Sequence, residues 1–393
     1  MSAAEFTAIV VGAGNMGAEQ ARILRQLPGW NLAGICDPDP TAASARASEL
    51  GVRCWPDLKA ALRDVLPDVV AVCTPNASHA GIAILAANSG VRAVHCEKPM
   101  AVNLADARRM VEVCEERGVL LVVNHQRRIG SDLLKMRELI DANAIGPVTR
   151  LRGFCAGDFL SDGTHVVDSL LWLAGDADPV EVDAEMALFP ADASAPSGLR
   201  RRYGHPVEAG MRLRARLENG LLLEIATGTL QEKKAYQEYL VEGAAGRLWR
   251  VGDQLQPNVF LSLDGKPGNL GTVFDPQKWY SYPSLSTADQ EAASSREWSV
   301  VDAPQNVVPG GNIGSSYSLL HKLLSGTCAS PHPMDARVAF RGFELVMAAY
   351  ESARMACKIT LPLAQVRFPL ELISESSASA QPATPAQPSP FSA

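Results

Sequence analysis

Residues 6–17 read FTAIVVGAGNMG, an apolar, strand-like run from Phe6 to Val11 that passes directly into a glycine turn. A helical pattern follows the turn. A Gly-x-Gly-x-x-Gly spacing between a strand and a helix is the setting in which it binds a dinucleotide. Gly12 permits the tight turn, Gly14 lets backbone approach a pyrophosphate, and Gly17 lets helix and strand pack closely. Ala13, Asn15 and Met16 complete the loop. The helix N-terminus offers unpaired N–H groups and a positive dipole end to phosphate. Asp37 lies 20 residues past Gly17, at the end of the second apolar run. A carboxylate there accepts hydrogen bonds from ribose hydroxyls and repels a 2′-phosphate, which favours NAD over NADP. The same residue is placed to cap a helix starting near Thr41.

Working outward, short apolar runs recur at 6–11, 31–36, 52–54, 68–73, 91–96 and 119–124, with helical patterns between them. Continuous apolar strands alternating with helices predict a parallel sheet covered on both faces, a doubly wound α/β domain. The pattern changes after residue 127. A helix at about 129–143 is followed by a strand at 148–155, a helix carrying THVVDSLLWLAG, and several β-like segments. In MRLRARL, Met211, Leu213, Ala215 and Leu217 alternate with three arginines, and Glu218-Asn219-Gly220 signals a hairpin. These segments predict an α+β domain with an open-faced, mostly antiparallel sheet and helices on one face. Residues 190–206 and 263–310, rich in Pro, Gly and Ser, are expected to be loops. Two late helices, near 312–325 and 335–357, are expected to pack on one of the domains. The expected division is a dinucleotide domain over 1–127, a second domain over 128–373, and a disordered tail over 374–393.

The net charge is −7, which argues against nucleic acid as the default partner. No apolar run approaches the roughly 20 residues of a membrane-spanning helix. The eight cysteines include no Cys-x-x-Cys pair, and Cys36, Cys73 and Cys96 fall within apparent strands. That usage suits a reducing cytoplasm without a disulfide framework. No metal site is expected.

Three further segments carry chemistry. Thr74-Pro75-Asn76-Ala77-Ser78-His79 follows the 68–73 strand, at the strand end that faces the ligand crevice of a doubly wound sheet. Asn76 or Ser78 is also placed to cap the next helix. Glu97-Lys98-Pro99 follows the 91–96 run. A lysine on a rigid turn facing that crevice suits general acid or base work, and the alternative is an ordinary surface lysine. Ser161-Asp162-Gly163-Thr164-His165-Val166-Val167-Asp168 opens an apolar helix, with Ser161 or Asp162 as its expected cap. Spacing places His165, Asp168 and Trp172 on one helical face. An imidazole oriented by a nearby carboxylate suits proton transfer. Asn124, Gln126, Arg127 and Arg128 follow the sixth strand, as nicotinamide- or substrate-lining groups or as linker surface.

Together the glycine loop, TPNASH, EKP, IGPV and the GTHVVD helix with its WLAG end resemble the glucose–fructose oxidoreductase/inositol dehydrogenase/MocA (Gfo/Idh/MocA) oxidoreductases over roughly residues 6–175. EKP after the fifth strand is the most specific element. The resemblance implies a Rossmann domain followed by an open-faced sheet domain, and a nicotinamide cofactor over the strand ends contacted by the glycine loop, Asp37, Thr74–Asn76, His79, Glu97, Lys98 and Gln126. It implies catalysis by Lys98 with His165, and a Lys98-Pro99 peptide that is often cis. The family pattern places an aspartate four residues before the histidine. Ser161 stands there in this chain, leaving Asp162 or Asp168 to support His165. The implied reaction is NAD-dependent interconversion of a secondary alcohol and a ketone on a sugar, cyclitol or related polyol, in a cytoplasmic homodimer or homotetramer. Two other activities occur among such proteins: NAD-dependent glycoside hydrolysis through transient sugar oxidation, and non-catalytic regulation of a sugar pathway.

Overall fold

A computed structural model describes residues 5–192, 195, 197–231, 236–252, 258–264, 298–303, 307–329 and 331–379. Six strands open the chain: β1 (Phe6–Val11), β2 (Trp30–Cys36), β3 (Arg53–Trp55), β4 (Val69–Val72), β5 (Ala93–Cys96) and β6 (Leu120–Val123). They pair in parallel in the order β3-β2-β1-β4-β5-β6. β4 is wholly apolar, and β1 and β5 are so apart from Thr7 and His95, because helices cover both faces; Ile9, Val10, Val70 and Val94 are fully buried. The connecting helices are α1 (Asn15–Gln26), α2 (Pro40–Leu50), α3 (Leu58–Asp64), α4 (His79–Asn88) and α5 (Leu104–Arg117). Their ends follow local chemistry. Asp39 accepts from the Thr41 and Ala42 amides at the start of α2, and left-handed Gly51 ends it. The cap of α2 is therefore Asp39, which leaves Asp37 to the glycine loop. Strand order reverses between β1 and β4, so the turns after β1, β4 and β5 converge at one crevice.

The chain then runs through α6 (Ser131–Asp141), β7 (Val148–Cys155) and α7 (Thr164–Leu173) into β8 (Pro179–Ala187), β9 (Arg200–Arg202), β10 (His205–Val207), β11 (Gly210–Leu217), β12 (Leu222–Thr227), β13 (Glu238–Gly243), β14 (Gly246–Arg250), β15 (Val259–Leu263), β16 (Ser299–Val301) and β17 (Ile359–Thr360). Among the described residues the second sheet has the order β16-β15-β14-β13-β7-β12-β11-β8-β17, antiparallel except for β7 with β12. The alternation in β11 is as expected. Met211, Leu213, Ala215 and Leu217 are buried, while Arg212, Arg214 and Arg216 reach Glu185, Glu224 and Glu181 on the outer face. Gly220 turns the β11–β12 hairpin at φ +84°. The eight cysteines are all free.

The late helices divide between the sheets. Helix Gly311–Leu324 sends Tyr317 and Leu320 into the core of the first sheet with Trp30 and Leu24. Helix Ala336–Met355 packs on α7 and β8, with Phe343, Val346 and Tyr350 buried.

Three expectations need correction. Residues 190–206 are not only loop, because β9 and β10 form a hairpin there. Residues 263–310 contain β16, although 265–297 lie outside the described residues. The tail does not begin at 374: a helix spans Pro369–Ser379, drawn onto the core by buried Leu370 and partly buried Ile373. The four prolines that suggested disorder begin only at Pro382, and 380–393 lie outside the described residues.

Burial lowers the pKa of six of the seven histidines, with His95 pushed down to about 3 and His332 to about 4. The unfolded chain takes up these protons near pH 6.5, whereas the folded chain does not. Stability from them is therefore full above about pH 6.5 and lost as pH falls below it. Glu208, raised to about 7 by burial, acts oppositely, losing its contribution as pH rises through its folded value. Six sites outweigh one. The unfolding free energy is expected to fall from about pH 7 to about pH 5, by up to about 1.4 kcal/mol per pH unit per histidine, and the melting temperature with it. A flat melting profile over that range would contradict the buried neutral rings.

Candidate active site

The glycine loop leaves space for a ligand where the chain itself does not need it. A Cβ on Gly17 would lie 1.8 Å from Gly12 O, and one on Gly12, at φ +108°, 2.5 Å from Cys73 O. Both glycines serve packing. A Cβ on Gly14 would meet nothing within 4 Å, so open space faces the loop at that position. Gly14 opens α1 without a side-chain cap, and the first turn carries no acid. Its amides are thus available to an anion. Asn15 and Met16 are exposed, and Ala13 is buried. Asp37 closes the loop from the end of β2: its Oδ2 accepts from the Ala13 amide at 2.7 Å and its Oδ1 from the Asp39 amide at 2.9 Å. The carboxylate is held in place with lone pairs left for ribose hydroxyls.

The turn after β4 is tied down from within. Ser78 Oγ donates to Pro75 O at 2.7 Å and lies 2.8 Å from the Thr74 hydroxyl, so it does not cap α4. Nor does Asn76, whose Nδ2 lies 2.9 Å from His205 Nε2 and 3.4 Å from Ser161 Oγ. Pro75 is exposed. His79 sits between Pro99 O and Thr74 O at 2.8 Å each, joining the turns after β4 and β5. Burial outweighs those two carbonyls and keeps its pKa below the usual value.

After β5, Glu97 Oε1 accepts from Gln20 Nε2 at 2.5 Å and Asn124 Nδ2 at 2.8 Å, and Tyr317 donates in turn to Gln20. Lys98 is half-buried rather than a surface group, and its Nζ donates to Ser161 O at 2.6 Å. The Lys98-Pro99 peptide is cis. The Lys98–Ser161 hydrogen bond joins the β5 turn to a π-helical turn, Phe159–Gly163, which precedes α7. Asp158 caps that turn by accepting from the Ser161 amide at 2.7 Å, a role expected of Ser161 or Asp162.

His165, in the first turn of α7, is buried. Burial, then the nearby charges of Lys98 and Arg127 and the His125 ring, hold its pKa well below the usual imidazole value. The rings of His125 and His165 meet edge to face, 5.7 Å between centroids. The Nδ1 atoms of both, Asn124 Oδ1 and Gln126 Oε1 are buried without hydrogen-bond partners. Such orphaned polar atoms at strand ends fit a polar ligand.

Neither expected carboxylate supports His165 by hydrogen bonding. Asp162 lies 3.4 Å from Arg202. Asp168 accepts from Arg128 Nε at 2.7 Å, and Arg128 also meets Asp176 at 2.8 Å and lies over the Trp172 ring at 5.6 Å. Arg128, only 1% exposed, is a tie between the end of β6 and α7 and neither lines the crevice nor belongs to a linker surface. His125 and His205 join this site without any motif of their own in the sequence. His205 belongs to the hairpin hidden in a loop-like stretch. His125 sits beside groups that were noted, and its strand-end position was the available signal.

Residues 6–125 match a family model described as "Oxidoreductase family, NAD-binding Rossmann fold". That stretch is therefore similar to the Gfo/Idh/MocA oxidoreductases. A D-apiose dehydrogenase of Rhizobium rhizogenes is 29% identical over 356 residues, 90% of this chain and 96% of that protein. Inositol 2-dehydrogenase 3 of Saccharopolyspora erythraea is 31% identical over 183 residues, 42% of this chain and 53% of that protein. For several other curated relatives the match spans only 36% to 38% of the relative's length. The WlbA dehydrogenase of Bordetella pertussis, solved in complex with NADH and UDP-GlcNAcA, shares the fold with a TM-score of 0.69 at 22% identity. That likeness covers 92% of this chain and 99% of that one. The first sheet is accordingly that of an NAD-binding Rossmann fold. No helix among the described residues is long and apolar enough to cross a membrane.

Two outcomes follow from this geometry. Gly14→Ala is expected to leave the melting temperature unchanged while raising the NADH Kd about tenfold, read by fluorescence titration. Gly17→Ala is expected instead to cost about 1–3 kcal/mol of stability. Asp168→Ala, which strands the buried Arg128 charge, is expected to cost about 3–5 kcal/mol in urea unfolding. Asp162→Ala, breaking a half-exposed pair, is expected to cost under about 1 kcal/mol.

Proposed function

We propose that this chain is an NAD-dependent oxidoreductase that interconverts a secondary alcohol and a ketone on a sugar, cyclitol or related polyol. One observation carries the reading: an anchored ammonium, Lys98, shares the crevice with a buried imidazole, His165, whose Nδ1 has no partner. The printed names of the relatives, an apiose dehydrogenase and an inositol dehydrogenase among them, support the substrate class.

The nicotinamide, when bound, supplies the hydride acceptor or donor. The glycine loop and Asp37 would hold its diphosphate and ribose, and the unpartnered Asn124 Oδ1 and Gln126 Oε1 would accept hydrogen bonds from it. His165 is kept neutral by burial and by neighbouring cations, so it is ready to take the substrate hydroxyl proton at neutral pH. The Lys98 ammonium, fixed by Ser161 O, stabilises the alkoxide that forms as the proton leaves. The roles of Asp168 and Asp162 are to place α7 and the turn before it.

Lys98→Ala is expected to lower turnover about a thousandfold or more while NADH binding stays within about threefold. A panel of sugars and inositols, followed at the NADH absorbance band, measures the first quantity. Undiminished turnover in that variant overturns the mechanism. Because the pKa of His165 is lowered, the acid limb of kcat/KM for alcohol oxidation is expected to fall well below pH 6.5.

A further inference from the structure

The β9–β10 hairpin leaves the second sheet and lies back on the Rossmann domain. Its turn residue Gly204, at φ +87°, has room for a Cβ only 3.0 Å from Ala77 Cβ, so the hairpin touches the turn after β4. From this position it makes two clasps. Arg202 reaches Asp158 at 3.3 Å and Asp162 at 3.4 Å, on either side of Ser161. His205, fully buried, places Nε2 2.9 Å from Asn76 Nδ2 and 3.4 Å from Ser161 Oγ. Its Nδ1 lies 2.9 Å from Pro206 O. A carbonyl accepts only, so Nδ1 carries the proton and Nε2 accepts from Asn76. The imidazole orientation is thus fixed by its own strand.

Ser161 is consequently held at three points: its amide by Asp158, its hydroxyl by Asn76 and His205, and its carbonyl by Lys98 Nζ at 2.6 Å. The hydroxyl and the carbonyl belong to one residue in a π-helical turn, so a shift at one moves the other. We infer that His205 is a positioning residue that fixes the Ser161 carbonyl, and through it the Lys98 ammonium, from the second domain. The inference rests on the oxidoreductase reading for its consequence in turnover, but not for its geometry.

Acylation by acetic anhydride, followed by peptide mass spectrometry, reads the Lys98 clasp without any substrate. An amine held against a carbonyl is less free to meet the reagent and acylates slowly. Relative to the exposed Lys59, Lys98 labelling is expected to rise about fivefold in His205→Ala. In His205→Gln, whose amide oxygen can accept from Asn76, labelling is expected to return to within about twofold of the wild type. With whichever sugar turns over, kcat is expected to fall about tenfold in His205→Ala while the NADH Kd stays within about twofold. Unchanged labelling in His205→Ala, or equal labelling in the Ala and Gln variants, overturns the assignment. Should His205→Ala not fold, Ser161→Ala removes the same hydroxyl clasp and keeps the carbonyl. Lys98 labelling is expected to rise there too, and no rise overturns the assignment. If no sugar turns over with the wild type, the oxidoreductase reading fails while the labelling still decides the role of His205.

Discussion

Arg128 brings a guanidinium into the joint between the two sheets, where it is 1% exposed. A charge so buried is tolerated only with paired, hydrogen-bonded counter-charges, and the chain supplies Asp168 and Asp176 from α7 and the turn after it. The Trp172 ring closes the remaining side. This requirement fixes α7 against the exit of β6, with little freedom to slide or rotate. His125 lies three residues before Arg128, and His165 three before Asp168, so the ion pair also sets the edge-to-face meeting of the two rings. The location of the candidate base is thereby determined by an interaction that takes no part in the proposed chemistry.

The same dry joint sorts the protons. An imidazole loses basicity on burial because its charged form is the one penalised, and nearby cations add to the effect. Lys98, half-buried, keeps one strong acceptor in the Ser161 carbonyl. His165, its basicity lowered, and Lys98, donating to Ser161 O, therefore share one crevice. Alcohol oxidation needs both at once: a group to take the hydroxyl proton and a charge to meet the alkoxide.

What could be read from the chain alone was what depends on local pattern. The glycine spacing after an apolar strand, the alternation through Met211–Leu217, and a lysine directly after β5 each declare themselves within ten residues. The misreadings share another cause. Asp168 shares a helical face with His165, and spacing along the helix gave no sign of Arg128, which reaches it from forty residues earlier. Ser161 and Asp162 were natural caps for α7, but the π-turn moves that role to Asp158. His205 was hidden because three-residue strands between Gly, Pro and Arg carry no periodicity, and its partner Asn76 lies 129 residues away. Helix Pro369–Ser379 was lost to composition: serine-rich sequence resembled tail, while two apolar residues one turn apart were enough to dock it.

The substitution at position 161 gains a physical meaning from this arrangement. Where the family pattern has an aspartate four residues before the histidine, a carboxylate would draw a proton onto the imidazole or the lysine beside it. Serine offers no such charge. Its hydroxyl is held through Asn76 and His205, and its backbone carbonyl is what meets Lys98. A carbonyl orients an ammonium without cancelling its charge, so the field of Lys98 remains available both to depress His165 and to meet a developing alkoxide. The carboxylates nearest the position, Asp158 and Asp162, are drawn toward Arg202 on the hairpin. A neutral group at position 161 and the pairing of Asp158 and Asp162 with Arg202 act in the same direction, while the Glu97 carboxylate beside Lys98 is engaged by Gln20 and Asn124.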